Sequence, residues 1–452
     1  MEDQQQQGGG GVVVEVVADG LVRPSSPLHP HQEWLALSPC DLLLRHINYT
    51  RRLLFYPSCH GLSQARMVTI LRHSLALALT HFYPLAGRLA LRHGHLALHC
   101  NDAGAQFVQA RLRGADAPSL PQLQASRFAM QPFFSQLARW GFYSPSLHQG
   151  TAPLLSIQVT TFACGGIALG VAFSHVIADG TSFWHFMSSW AECARGREKP
   201  SLPPRHERHI LANHMQSSSA VKPAIDFFED LQDNPSQFRR DKKVANSFCI
   251  SKEMVGQMKN ETQHHYSAYE VACAHIWKHT NRAWKHPQDT KVGFINVVNM
   301  RDRISPPLPR GYFGNAVLWS IATATSGQLN DEDLAATAGR IHDAVVACSN
   351  SRFQEFLELL EVHPFLLEKI VQPLGCNGVR MRVSSSTKFP VSSIDFGWGK
   401  PLAARSASVE EINKIAFYPD PCSPGSIAFC LALPKNIMET LEHDRSFFRY
   451  VE

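Results

Sequence analysis

Several large classes of protein are excluded by what this 452-residue chain lacks. Its net charge of +5 is spread out, and no basic run is long enough to suggest a nucleic-acid partner. Eleven cysteines, odd in number and without close pairing, read as reduced thiols of a cytoplasmic protein rather than a disulfide framework. Met1–Gly11 is polar and glycine-rich, so a signal peptide's apolar core is missing, and Val451–Glu452 offers no peroxisomal address. The sequons at Asn48 and Asn260 then read as unused. No His-Glu-x-x-His or Cys-x-x-Cys is present to hold a metal, and no Gly-x-Ser-x-Gly elbow to carry a serine nucleophile. With 44% apolar and 18% charged residues, the chain is globular rather than disordered. Its mild positive bias would suit an anionic, phosphate-bearing ligand.

A chain of this length exceeds a single typical domain, so two cores are expected. Residues 1–11 read as a disordered tail, 12–190 as a first domain, 191–246 as a crossover linker and 247–452 as a second domain, with segments exchanged between the two. The crossover stands out by composition: Arg195–Pro200 and Pro203–Arg208 carry charge and proline without hydrophobic periodicity, and Arg239–Lys243 adds a basic cluster. Its individual charges read as a solvated surface.

The strongest local pattern runs into Ser174–Gly180. Leu154–Phe162 and Ile167–Phe173 are strand-like, and Cys164-Gly165-Gly166 between them signals a hairpin. The span Thr151–Ala178 is long enough for a membrane segment and has no charge. Its period of two, its Gln158, Thr160 and Thr161, and its paired glycines favour a buried hairpin instead, so no membrane partner is expected. In the second strand Ile167, Leu169, Val171 and Phe173 alternate with Ala168, Gly170, Ala172 and Ser174, and His175 continues the large parity. Beyond Gly180, Thr181 is placed to cap a helix whose Phe183, Phe186, Met187 and Trp190 share one face. An imidazole therefore arrives at a strand-to-helix corner. By itself it is a buried, hydrogen-bonded histidine or a general base for a bound hydroxyl or amine, since imidazole titrates near working pH.

His175-x-x-x-Asp179-Gly180 together with Asp395-Phe396-Gly397-Trp398-Gly399-Lys400-Pro401 resembles the paired signature of the plant BAHD acyltransferases, which depend on coenzyme A. Further matches lie along nearly the whole chain from about Val12: Leu37–Asp41, Phe82–Leu89, Ser267/Glu270/Ala274/Trp277 and Tyr312–Asn315. The resemblance implies an α/β fold of two chloramphenicol-acetyltransferase-like domains, each a mixed sheet flanked by helices, with a channel between them. It implies His175 as general base, Asp179 and Gly180 as structural neighbours, and Arg301 or Arg303 as the partner of Asp179. The family often has Asp where this chain has Asn299. Ser384 of the Ser384-Ser385-Ser386 stretch takes the place of an oxyanion donor, where hydroxycinnamoyl-transferring relatives read Thr-Ser-Trp. Asp395, Phe396, Gly397, Trp398 and Gly399 would hold the architecture away from the chemistry. Implied too are acyl-CoA as co-substrate, an alcohol or amine of plant specialised metabolism as acceptor, no permanently bound cofactor, no metal, and a monomer. The alternative is a lyase or metabolite-binding protein of the same fold, acting on a small carboxylated metabolite without acyl-CoA.

Overall fold

The computed structural model describes residues 13–27, 33–45, 49–113, 130–136, 150–214, 243–362, 380–406 and 413–452. The expected tail, 215–242 of the expected crossover, and Asn48 of the first sequon lie outside them.

Three sheets organise the described residues. The first runs β1 (Val13–Val22), β6 (Ala105–Arg113), β7 (Leu155–Thr161), β8 (Ile167–Ser174), β3 (Tyr49–Tyr56) and β13 (Ala403–Ser406) from edge to edge. The second runs β11 (Val317–Thr325), β10 (Lys291–Asn299), β12 (Arg380–Val383), β14 (Lys414–Pro419), β15 (Ile427–Pro434) and β9 (Lys243–Ile250). A small third sheet holds β2 (Trp34–Ala36), β5 (His95–His99) and β4 (Arg88–Arg92). Both large sheets mix parallel and antiparallel pairs, and both are flanked by helices. β13 comes from the C-terminal half yet pairs with β3, Ser406 lying opposite Arg52.

β7 and β8 are buried on both faces. The small parity of β8 accounts for this: a Cβ on Gly170 would lie 2.1 Å from the Phe133 carbonyl oxygen, so the segment at 130–136 can rest directly on the strand. The large parity packs the other way, with Phe173 stacked on Phe183 at 4.6 Å.

Helix α1 (Gln64–His81) and helix α2 (Gly180–Ala194) pack together against the first sheet, where the Trp190 indole donates to the Leu71 carbonyl and to Ser74 Oγ. The cap of α2 differs from expectation. Asp179, not Thr181, is the N-cap, because its carboxylate accepts from Ser182 N at 2.9 Å while its backbone stays extended. Helix α3 (Ala268–Trp284) begins with a capping box in which Ser267 and Glu270 satisfy each other's main-chain N–H. The closing helix runs Lys435–Glu442. Asp444 accepts from Ser446 N and turns the chain into a short 3-10 segment. Gly87 is needed for space rather than for its dihedrals. Its φ of −84° is ordinary, so the turn needs no special dihedral, but a Cβ there would sit 2.6 Å from the His99 carbonyl oxygen.

Among the described residues the core has three parts, and they do not follow chain order. The N-terminal cluster takes in Phe313, Ile394, Phe396, Trp398, Ala416 and Tyr418 from the C-terminal half. A second cluster fills the C-terminal sheet. The third joins Cys40, Leu43 and Leu44 to Leu211 and to Val298, Met300, Phe353 and Leu357. The seam between the two large sheets is therefore part of the hydrophobic core.

Candidate active site

His175 leaves β8 where the first sheet meets that seam. Side chains alternate along a strand, and directly opposed antiparallel residues share a face. Val171 lies opposite Arg52 and Phe173 opposite Thr50, so His175 follows them on the face that carries Arg52. On β14 Ala416 and Tyr418 belong to the N-terminal core while Ile415 and Phe417 belong to the C-terminal one. Lys414 therefore shares the face turned toward His175 and Arg52.

The imidazole is half-buried, and its Nδ1 is sealed from solvent without a hydrogen-bond partner. Nε2 is thus the ring nitrogen a substrate can reach. Burial pushes the His175 pKa down to about 4, with Arg52 and Lys414 pushing the same way against its own main-chain carbonyl and Asp179. The ring is neutral throughout the physiological range and is ready to accept a proton.

Asp179 is 1% exposed and does not touch the imidazole through its hydrogen bonds. Its oxygens meet Arg301 in a two-point pair, Nη1 to Oδ2 at 2.7 Å and Nη2 to Oδ1 at 3.1 Å. Ser182 N and Ala316 N donate to them as well. Burial would raise the Asp179 pKa, but Arg301 and these main-chain donors outweigh it and hold the carboxyl below its ordinary range. Arg301 also donates from Nη1 to Asn299 Oδ1 and from Nη2 to Ser182 Oγ and the Gly314 carbonyl, while its Nε is buried without a partner, and its guanidinium lies 5.4 Å from the Tyr312 ring centre. Arg303 does not take part: it donates to the Val345 and Cys348 carbonyls. Asn299 accepts from both Arg301 Nη1 and Arg301 N.

A second buried ion pair flanks the histidine loop and was not legible as such. Arg208 Nη1 lies 2.8 Å from Asp41 Oδ2, both side chains being almost inaccessible. Arg208 Nη2 donates to the Ile177 carbonyl, and Asn315 Nδ2 donates to Asp41 Oδ1 and to the His175 carbonyl. The crossover thus contributes a buried, structural arginine where a solvated charge was expected. Its only sequence signal is the proline-bounded Pro203–Arg208 run, which looks the same for an exposed loop. Asp41 and Asn315 stand inside two of the quoted motifs, but nothing in their spacing joins them.

Gly180 lies against Phe389, whose ring tip would be 2.6 Å from an added Cβ. Ser384 follows β12. Its hydroxyl donates to the Ile415 carbonyl at 3.3 Å, and its own carbonyl accepts from Arg52 Nη2 at 3.3 Å. The second motif anchors itself in the N-terminal core. Asp395 Oδ1 accepts from Gly397 N and Gly399 N, both glycines having φ above 100°, where only glycine sits without strain. Phe396 meets Trp190 and Tyr56 edge-on, Trp398 stacks on Phe396, and Arg195 donates to the Asp395 carbonyl.

A family model described as "Transferase family" matches residues 12–448. Among curated proteins the chain is 29% identical to a hydroxycinnamoyltransferase of Narcissus pseudonarcissus, covering 91% of this chain and 94% of that one. It is 28% identical to anthranilate N-benzoyltransferase protein 1 of Dianthus caryophyllus, covering 93% and 96%. Among solved structures, F. sporotrichioides TRI101 complexed with coenzyme A and T-2 superposes with a TM-score of 0.76 at 20% identity, covering 93% of this chain and 99% of that one.

Proposed function

The chain belongs to the Transferase family, the BAHD acyltransferases, and on that premise we propose that it carries an acyl group from a coenzyme A thioester to a hydroxyl or amine, with His175 as general base. The observation that carries the assignment is the state of His175: a neutral imidazole at the seam, with Nδ1 closed off and Nε2 left to the substrate.

His175 Nε2 takes the proton of the acceptor's O–H or N–H as that atom attacks the thioester carbonyl. The carbonyl oxygen becomes an oxyanion, and hydrogen-bond donors at that point lower the barrier. Ser384 is the proposed donor; it has to swing its hydroxyl from the Ile415 carbonyl to serve. Collapse breaks the carbon–sulfur bond, the coenzyme leaves as thiolate, and the proton on His175 returns to that sulfur. No acyl-enzyme forms. Asp179 and Arg301 neutralise each other and hold the start of α2, so their part is to fix where His175 stands. The signature loop from Asp395 to Gly399 has the same kind of part at a distance.

Both named relatives carry acyl transfer in their names, one of them to an amine, which supports leaving the acceptor atom open. TRI101 is complexed with coenzyme A, which supports acyl-CoA as co-substrate rather than a bound prosthetic group. No described helix is long and apolar enough to cross a membrane. A cytoplasmic monomer with domains at 12–190 and 247–452 belongs to the same proposal, and size-exclusion chromatography with a fluorescent fusion checks it.

The test is thiol release by purified protein given a panel of acyl-CoAs and a pooled plant metabolite extract, wild type beside His175→Ala. Acceptor-dependent release from the wild type alone supports transfer. Extract components that change in a His175-dependent way with no thiol released would replace it with an elimination.

A further inference from the structure

Arg52 is a buried cation of a different kind from Arg208 and Arg301. Arg208 and Arg301 are each matched by an aspartate. Arg52, only 4% exposed, donates from Nη1 to the Arg51 carbonyl and from Nη2 to the Ser384 carbonyl, and its guanidinium lies 5.9 Å from the Tyr418 ring centre. A guanidinium has five N–H donors, so two main-chain acceptors leave most of its capacity unspent. Among the described residues no carboxylate lies within ion-pair distance of it. Removing a charge from water without an opposite charge is costly, and proteins retain such groups where a partner arrives with the ligand.

More positive charge gathers on the facing strand. Lys414 stands on the face of β14 that carries Tyr418, and Arg382 on β12 is its register partner. Burial lowers the Arg382 pKa to about 10. Arg52 and Lys414 are also the cations whose charge reaches His175.

We infer that Arg52, beside His175, forms a subsite for a carboxylate carried by one of the two substrates, on the side of the seam that faces Lys414. The inference rests on His175 being the working group of the site, and it narrows the substrates to a pair of which one is an acid. The carboxylate belongs either to a dicarboxylic acyl group on the donor or to the acceptor. In both cases it is bound and unreacted, and it compensates a charge that the protein leaves uncompensated.

Calorimetric titration separates the two sources. The donor arm compares malonyl-CoA with acetyl-CoA, which holds the coenzyme constant so that its phosphates create no preference. The acceptor arm compares anthranilate and shikimate with their methyl esters. In one arm the acid binds roughly 10- to 100-fold tighter than its neutral counterpart to wild type, as expected for charge-assisted hydrogen bonds. In Arg52→Gln, which keeps a donor for the Ser384 carbonyl, that ratio falls to near one. Arg52→Lys keeps the charge without the planar fork and gives an intermediate ratio; it also serves if the glutamine variant does not fold. Equal binding within every pair, binding by none of the acids, or an undiminished ratio in the variants would overturn the inference. Because binding is read directly, a preference for the acid with no thiol release under any condition would remove the transfer reading and leave the subsite standing.

Discussion

His175 and Asp179 stand four residues apart and do different work, and their substitutions should separate cleanly. His175→Ala removes the base and should lower kcat by about 10²- to 10⁴-fold, with circular dichroism and the melting temperature close to wild type. The acid limb of kcat/KM should lie near pH 4 rather than 6.5, because burial favours the neutral ring and a base works only when unprotonated. A limb at 6.5 in a pH–rate profile would mean that His175 is not the group that titrates. Asp179→Asn, by contrast, leaves Arg301 buried without its counter-charge. Breaking such a pair costs roughly 3–5 kcal/mol, so its urea midpoint and soluble yield should fall along with its rate. Unchanged unfolding with lost activity would give Asp179 a direct part in the chemistry.

At the scale of single elements, two of the motifs are built as devices of folding. Gly87 is needed for what it omits: Gly87→Ala drives a Cβ onto the His99 oxygen, a main-chain atom that can move only with its backbone. We expect a loss of about 1–3 kcal/mol, as for other overpacked sites, measured by equilibrium unfolding. Ser267 and Glu270 form the capping box of α3, and Ser267→Ala should cost about 1 kcal/mol with kcat and KM preserved. Changed kcat at full stability would overturn this structural assignment. The helix after His175 carries a related lesson. Thr181 has the right residue type for a cap, but Asp179 reaches Ser182 N first and is fixed there by Arg301, which no local preference could register.

The whole molecule should be sensitive to mild acid. Burial lowers His206 and His275 to about 3 and His175 to about 4, against 6.5 for an exposed imidazole. Between roughly pH 4 and 6.5 the unfolded chain binds protons that the native state refuses, so stability rises with pH across that window and flattens above it. Urea midpoints measured at pH 7 and pH 5 should differ, with the lower value at pH 5. Equal midpoints would show that these rings are protonated without cost.

The sequence by itself determined the elements around the site. The alternation of large and small residues through Ile167–Ser174, the turn at Cys164–Gly166 and the apolar face from Phe183 to Trp190 are local periodicities, which packing on either side leaves readable. It also presented His175 at a corner and offered Arg301 among two candidate partners for Asp179. Tertiary structure alone decided which arginine fills that place, and it alone brought Arg208 from a charged, proline-rich crossover to Asp41, 167 positions earlier in numbering. The same holds for Arg52: in the chain it is one of two arginines in an apolar strand, and only the closing of β12 and β14 over it turns it into a buried cation beside the histidine. Contacts of this kind join residues far apart in the chain through hydrogen bonds and charge, which have no period, whereas hydrophobic burial repeats with the helix or strand and is written along it.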